Sequence, residues 1–212
     1  MTDPQRMSGW DTLVAGDAVS HGVAGLLLLM SIVSWYFILS RGWFTWQASR
    51  SLGPALARFW QEADPSRALE GLRTTDRCGL LTPLANGLAQ CSSPQERQRA
   101  LREALGTSRR ELQRGLTWLA SVASTAPFVG LLGTVWGIYH ALVGITASGQ
   151  ASIERVAGPV GEALIMTAAG LAVAIPALLA YNALVRTQRE ILLRIDGFAH
   201  DLQAQGLAGD RP

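Results

Sequence analysis

The chain has 212 residues, 49% of them hydrophobic, 16% charged and 7% aromatic. That apolar content excludes intrinsic disorder, and a count of two cysteines excludes a disulfide scaffold. The net charge is +2, the pI about 8.8 and the mean hydropathy +0.20, which together describe apolar segments joined to a sizeable polar portion.

Three stretches lack charge for long enough to cross a bilayer, which takes roughly 20 apolar residues. The first is Gly22 to Ser40, with a dense core, VAGLLLLMSIVSWYFIL, at 23–39. It is longer than a signal-peptide core and its basic residues follow it, so cleavage is not expected. Trp35, Tyr36, Trp43 and Trp46 cluster at its inner end, as interfacial aromatics do. The second stretch has no Asp, Glu or Arg from Gly115 to Ile153 and is most apolar between Leu116 and Ile145. The third runs from Ala163 to Val185, and back to Val156 if Glu162 is tolerated. These place transmembrane helices at 22–42, 115–145 and 156–185.

Between the first two, residues 43–114 read as a helical loop. Pro54–Gln61, Pro65–Arg77 and Leu80–Gln90 are expected to be short helices separated by Gly, Pro and Asp-Pro signals. Ser93 is an N-cap, Pro94 fits the first helical position and Glu96 completes an S-x-x-E capping box. Nothing strong stops that helix, since Gly106 and Gly115 weaken it by only about 1 kcal/mol each. One helix is therefore expected from about Pro94 to about Ile145, roughly 75 Å long at 1.5 Å per residue. Beyond the third stretch, Ile191, Ile195, Phe198 and Leu202 share one helical face, which is expected to pack against the other long helix or a neighbouring subunit. Cys78 and Cys91 fall in the loop, are expected to be reduced, and lack the second pair a zinc site needs. No metal or other cofactor is expected.

All 18 basic residues are arginines. Twelve lie between Arg41 and Arg114 and four from Arg186 onward, against only Arg6 and Arg155 in the N-terminus and the connection between the second and third stretches. By the positive-inside rule, residues 43–114 and 186–212 are cytoplasmic, and residues 1–21 and 146–155 periplasmic. The fold class is an all-α integral membrane protein of three transmembrane helices, N-out and C-in, with two of the helices long and extended into the cytoplasm. The positive charge is topology information and calls for no nucleic acid.

Glu162 stands in an otherwise apolar stretch, VAGPVGEALIMT at 156–167. A carboxylate at membrane depth costs about 2.5–3.5 kcal/mol on insertion scales. The structural alternative places it at the outer interface, snorkelling to water, although Glu154 and Arg155 already supply a polar boundary further out. The second helix carries Gly130, Gly133, Thr134, Gly137 and Ala141 at i, i+3, i+4 spacing, a small-residue seam for close helix approach. The third answers with Thr167, Gly170, Ala174 and Ala177. The two helices run antiparallel, so Thr134 and Thr167 fall at nearly one depth, with Glu162 a turn or more further out. An acid followed by two hydroxyls among small residues suits a proton or ion path; the alternative for each threonine is a bond back to its own helix. Pro127 and Pro176 mark local kinks. His140, at the outer end of the second helix, has a structural and a titrating reading. An intramembrane enzyme is disfavoured, because G-x-S-x-G, H-E-x-x-H and paired aspartates at membrane depth are all absent from the sequence. A passive scaffold would tolerate neutralisation of Glu162.

APFVGLLGTVWGI at 126–138, GEALIMTAAGL at 161–171 and AIPALLAYN at 174–182 resemble the signature of the ExbB/TolQ/MotA proton-channel family, most closely its ExbB branch. The resemblance covers the second and third helices closely and the three-crossing layout over the whole chain. It implies an inner-membrane homopentamer whose second and third helices line a central pore. That pore holds the transmembrane helices of ExbD, with TonB on the outside of the complex, and the proton motive force energises TonB-dependent import of iron-siderophores and similar nutrients through the outer membrane. Glu162 matches the family's pore glutamate, and Thr134 and Thr167 its pore threonines. Gly161 and Met166 stand where alanine is usual, which bears on local packing. A TolQ-like role in the Tol-Pal envelope-constriction system is the alternative, and four-crossing MotA-like motors are disfavoured.

Overall fold

A computed structural model describes residues 18–91, 93–148 and 153–205, and every described element is helical. The order is α1 (Ala18–Gln61), α2 (Pro65–Thr75), α3 (Thr82–Ala89), α4 (Pro94–Gln113), α5 (Leu116–Ser148) and α6 (Ile153–Gln205). Three of the helical stretches are long and apolar enough to cross a membrane by length and composition. Most of the expected periplasmic N-terminus, the centre of the 146–155 connection and the last seven residues lie outside the described residues, as do the side chains of Glu154 and Arg155.

The described residues form two compact units. The first, a membrane unit, comprises α1 up to Ile38, α5 from Trp118 and α6 up to Ala180. The second, rich in arginine, comprises α1 from Leu39, α2, α3, α4 and α6 from Tyr181.

Two expectations about helix ends give way. Pro54 begins no new helix, because α1 runs through it to Gln61. Proline removes one backbone donor, but Ala48, Leu52, Ala55 and Phe59 form a continuous buried face across it, and that packing holds the helix together. Conversely, the single helix expected from Pro94 to Ile145 is interrupted. Arg114 is extended (φ −60°, ψ 130°) and Gly115 takes φ +83°, so α4 stops at Gln113 and α5 starts at Leu116. A glycine enters that left-handed region without steric cost, which its modest helix propensity does not reveal.

Local chemistry fixes the shorter helices. The Asp64 carboxylate caps α2 by accepting from the Ser66 N–H (2.9 Å), with Pro65 at the first position. The expected capping box opens α4: the Ser93 hydroxyl accepts from the Glu96 N–H (3.3 Å) and the Glu96 carboxylate from the Ser93 N–H (3.1 Å). Between α2 and α3, Asp76 gathers four donors: the N–H groups of Leu80 (3.0 Å), Leu81 (2.7 Å) and Thr82 (2.7 Å), and the Thr82 hydroxyl (2.9 Å). The buried Ser108 hydroxyl then ties α4 to this turn through the Leu80 carbonyl (2.7 Å).

The stripe of Ile191, Ile195, Phe198 and Leu202 is buried in the arginine-rich unit, in one cluster with Leu52, Phe59, Leu72, Leu84, Leu101 and Leu112. Phe198 meets Phe59 edge to face at 5.0 Å. The amphipathic end of α6 therefore closes the core of its own chain. Arg41 reaches Glu111 at 3.3 Å and so links α1 to α4. Cys78 and Cys91 are free thiols. Burial, and after it the Asp76 carboxylate, push the Cys78 thiol above its ordinary pKa.

Asp76→Ala strands four donors at one turn and is expected to destabilise the arginine-rich unit by about 2–3 kcal/mol, read as a lower thermal midpoint of the full-length protein. A raised pKa leaves less thiolate near neutral pH. In a Cys91→Ser background, alkylation of Cys78 at pH 8 should accordingly run severalfold slower than that of glutathione, with a rate that is still climbing at a pH where glutathione has levelled off.

Candidate functional site

Within the membrane unit, α5 and α6 lie antiparallel with their backbones touching. A Cβ added to Gly130 would stand 2.6 Å from the Met166 carbonyl oxygen, 3.1 Å from the Thr167 Cα and 3.2 Å from the Gly170 Cα. One added to Gly170 would stand 2.6 Å from the Ala126 carbonyl oxygen. Only hydrogen fits at either position. Further along α5, Gly133 faces Met166, and a Cβ added to Gly137 would stand 2.9 Å from the Ala163 Cβ. Ala174 and Ala177 continue the buried face of α6. Ala141 is half-buried. α1 reaches the same seam through Val23, whose Cγ1 lies 3.0 Å from the Gly133 Cβ position.

The seam brings the two threonines together. Thr134 is 5% exposed, and its hydroxyl donates to the Leu131 carbonyl at 2.7 Å, a bond back to its own helix. The Thr167 hydroxyl instead donates across the seam to the Thr134 oxygen at 3.4 Å. Thr134 is thus oriented by its own helix and accepts from the other, and the Thr167 oxygen is left with lone pairs available to a further donor.

Glu162 does not join that pair. It is half-buried, and among the described residues it makes no hydrogen bond or ion pair. Thr167 comes five positions later, which in a helix means about 7.5 Å along the axis and about 140° around it. It stands on the shoulder of the seam, next to the Ala163 that packs on Gly137. The geometry therefore divides the three residues expected to act together into a hydroxyl pair in the seam and a separate carboxylate at its edge. At the end of α5 beyond Gly137, the His140 ring lies 4.8 Å from Trp136 and 5.6 Å from Tyr139, an aromatic cluster.

Two features of this unit escaped the sequence. Met166 fills the space above Gly133, although its only mark in the sequence was a departure from alanine. Ser34, on α1, is 3% exposed and its hydroxyl has no partner among the described residues. The available signal was weak: a serine within an apolar run, on the face that carries the buried Val23 and Leu27.

A family profile described as the MotA/TolQ/ExbB proton channel family matches residues 72–197, more than half of the sequence. The chain belongs to that family. It is similar to the biopolymer transport protein ExbB of Xanthomonas campestris pv. campestris (strain B100), at 39% identity over 92% of this chain and 84% of the relative. It is similar also to the ExbB of Neisseria meningitidis serogroup B (strain ATCC BAA-335 / MC58), at 40% identity over 90% of this chain and 93% of the relative. The Tol-Pal system protein TolQ of Pseudomonas aeruginosa matches at 32% identity over 93% of this chain and 91% of the relative. Family membership and the three spanning helices make the chain a multi-pass protein of the bacterial inner membrane.

Gly130→Ala should force the α5 and α6 backbones apart and destabilise the membrane unit by about 1–3 kcal/mol, the usual cost of overpacking. The same change at Gly25, where a Cβ meets nothing within 4 Å, should leave the thermal midpoint in detergent unchanged or slightly raised.

Proposed function

We propose that the chain is the ExbB-type proton-channel and motor subunit of a TonB–ExbB–ExbD complex, using the proton motive force to energise TonB-dependent import across the outer membrane. The observation that carries this is Glu162: an ionisable side chain in an apolar spanning helix, half-buried, with no partner in its own chain among the described residues. Ionised, such a group costs several kcal/mol unless a partner or water meets it, and intramembrane carboxylates of this kind mark ion and proton pathways. Identity of 39–40% to the Xanthomonas and Neisseria ExbB proteins against 32–33% to the TolQ proteins of Pseudomonas aeruginosa and Haemophilus influenzae favours the ExbB role over the Tol-Pal one.

In this reading five copies surround a pore lined by α5 and α6, and transmembrane helices of ExbD occupy it. TonB sits outside, and the N-out, C-in arrangement puts the arginine-rich unit in the cytoplasm. Glu162 takes up and releases the proton. Thr134 and Thr167 form a polar step further in, where the Thr167 oxygen accepts from water or from a partner helix. Gly130, Gly133, Gly137, Gly170 and Ala174 keep the two helices close enough to move as one wall. The subunit needs no covalent chemistry: an elementary charge crossing 100 mV releases about 2.3 kcal/mol, so a few protons drive a sizeable conformational step.

Glu162→Gln keeps the side chain's shape and removes its charge. It should reduce siderophore uptake to the background of a strain lacking the gene, while the purified complex keeps the mass of five 22.7 kDa chains plus ExbD. Normal uptake at normal expression would sink the role given to Glu162. A complex that no longer assembles would make that residue a structural one.

A further inference from the structure

Between Ala18 and Gln61, α1 has no Asp or Glu, and its charges are Arg41, Arg50 and Arg58. Arg41 is engaged: its side chain is 11% exposed, lies 3.3 Å from Glu111 and covers the Phe44 ring. Arg50 meets no carboxylate among the described residues. It is exposed, and its guanidinium lies 4.3 Å from the centre of the Trp46 ring. Trp46 in turn stands 5.4 Å from Trp43, and the two indoles are 48% and 67% exposed.

The depth of this cluster follows from α1 itself. Arg41 is the first charge after the apolar run, Trp46 comes about 7 Å further along the helix axis and Arg50 about 13 Å. Helical side chains lean toward the N-terminus, which on α1 means back toward the apolar run. The Arg50 side chain does so, and its cation ends at the level of Trp46. A bilayer's headgroup layer extends about 5–8 Å beyond the hydrocarbon on each face, and indole rings favour that layer. A guanidinium at this depth, restrained by an indole and unneutralised by any carboxylate of its helix, is preorganised to pair with phosphate through two parallel N–H donors.

We propose that Trp43, Trp46 and Arg50 form a binding site for the headgroup of an anionic glycerophospholipid in the leaflet adjoining the arginine-rich unit. The phosphate accepts from Arg50, and the upper acyl chains lie against the two indoles. A zwitterionic lipid offers the same phosphate but adds a cation that Arg50 repels, so the site prefers a net negative headgroup. Free phosphate lacks the chains that bring the anion to this depth.

Native mass spectrometry tests this on the full-length protein, released from micelles that hold equal amounts of phosphatidylglycerol and phosphatidylcholine. The unaltered chain should retain phosphatidylglycerol preferentially. Arg50→Gln should lower that preference about fivefold, the equivalent of about 1 kcal/mol for one basic side chain at a membrane surface. Trp46→Leu should lower it by less, and Arg58→Gln, whose arginine is not stacked on either indole, should leave it intact. Inorganic phosphate should not displace the lipid. Equal retention of the two lipids, an unchanged preference in Arg50→Gln, or displacement by inorganic phosphate would each overturn the assignment. A second copy of the chain covering this face would do so too, appearing as no lipid preference together with a reduced oligomer mass in Trp46→Leu.

Discussion

Everything in the membrane unit depends on the contact of two backbones without side chains between them. Gly130 and Gly170 each approach a carbonyl oxygen of the opposite helix so closely that a single methyl group would overlap it. In a bilayer no hydrophobic gain draws helices together, since lipid tails are as apolar as leucine, so association rests on dispersion between surfaces that fit. Glycine at the crossing turns two cylinders into such a fit. The consequence is chemical as well as mechanical, because the separation that lets Gly130 touch Gly170 also carries the Thr167 hydroxyl to Thr134. A seam built on larger residues would leave each threonine to bond only its own helix.

The parts of this structure that were legible in the sequence are those decided by local or periodic chemistry. Ser93 and Glu96 announce a helix start because both hydrogen bonds close within four residues. The stripe from Ile191 to Leu202 announces a buried face because its spacing puts four large apolar residues on one side of the helix, though not what covers them. The glycine spacing on α5 likewise located the seam. The break at Gly115 was not legible, since composition shows a glycine but not the sign of its φ. Nor was the passage of α1 through Pro54, because what packs on the helix there, Phe198 of α6 against Phe59 and Trp60, is brought to it by the tertiary fold. Ser108 and Ser34 show the same difficulty in miniature. A helical serine can bond its own backbone, and nothing nearby in sequence tells that Ser108, besides the Ala104 carbonyl one turn back, also reaches Leu80, or that Ser34 lacks a partner among the described residues.

Among the described residues, the fold meets some charges and leaves Glu162 without a partner in its own chain. Arg41 has Glu111, Asp76 has four donors, and Arg50 has an indole ring. Each of these lies in the arginine-rich unit, where water is also at hand to screen what the protein leaves over. Glu162 lies in the membrane unit without comparable support. Were it only a structural anchor, the economical sequence would place its partner on α5, or would substitute an alanine as at Ala163. Its neighbours along α6, Gly161 and Ala163, are small, and Gly137 of α5 packs on Ala163. An ionised carboxylate at membrane depth costs stability unless a proton, water or a partner meets it. In the role proposed for this chain, Glu162 is one component of an assembly, and the missing partner is supplied from outside the chain.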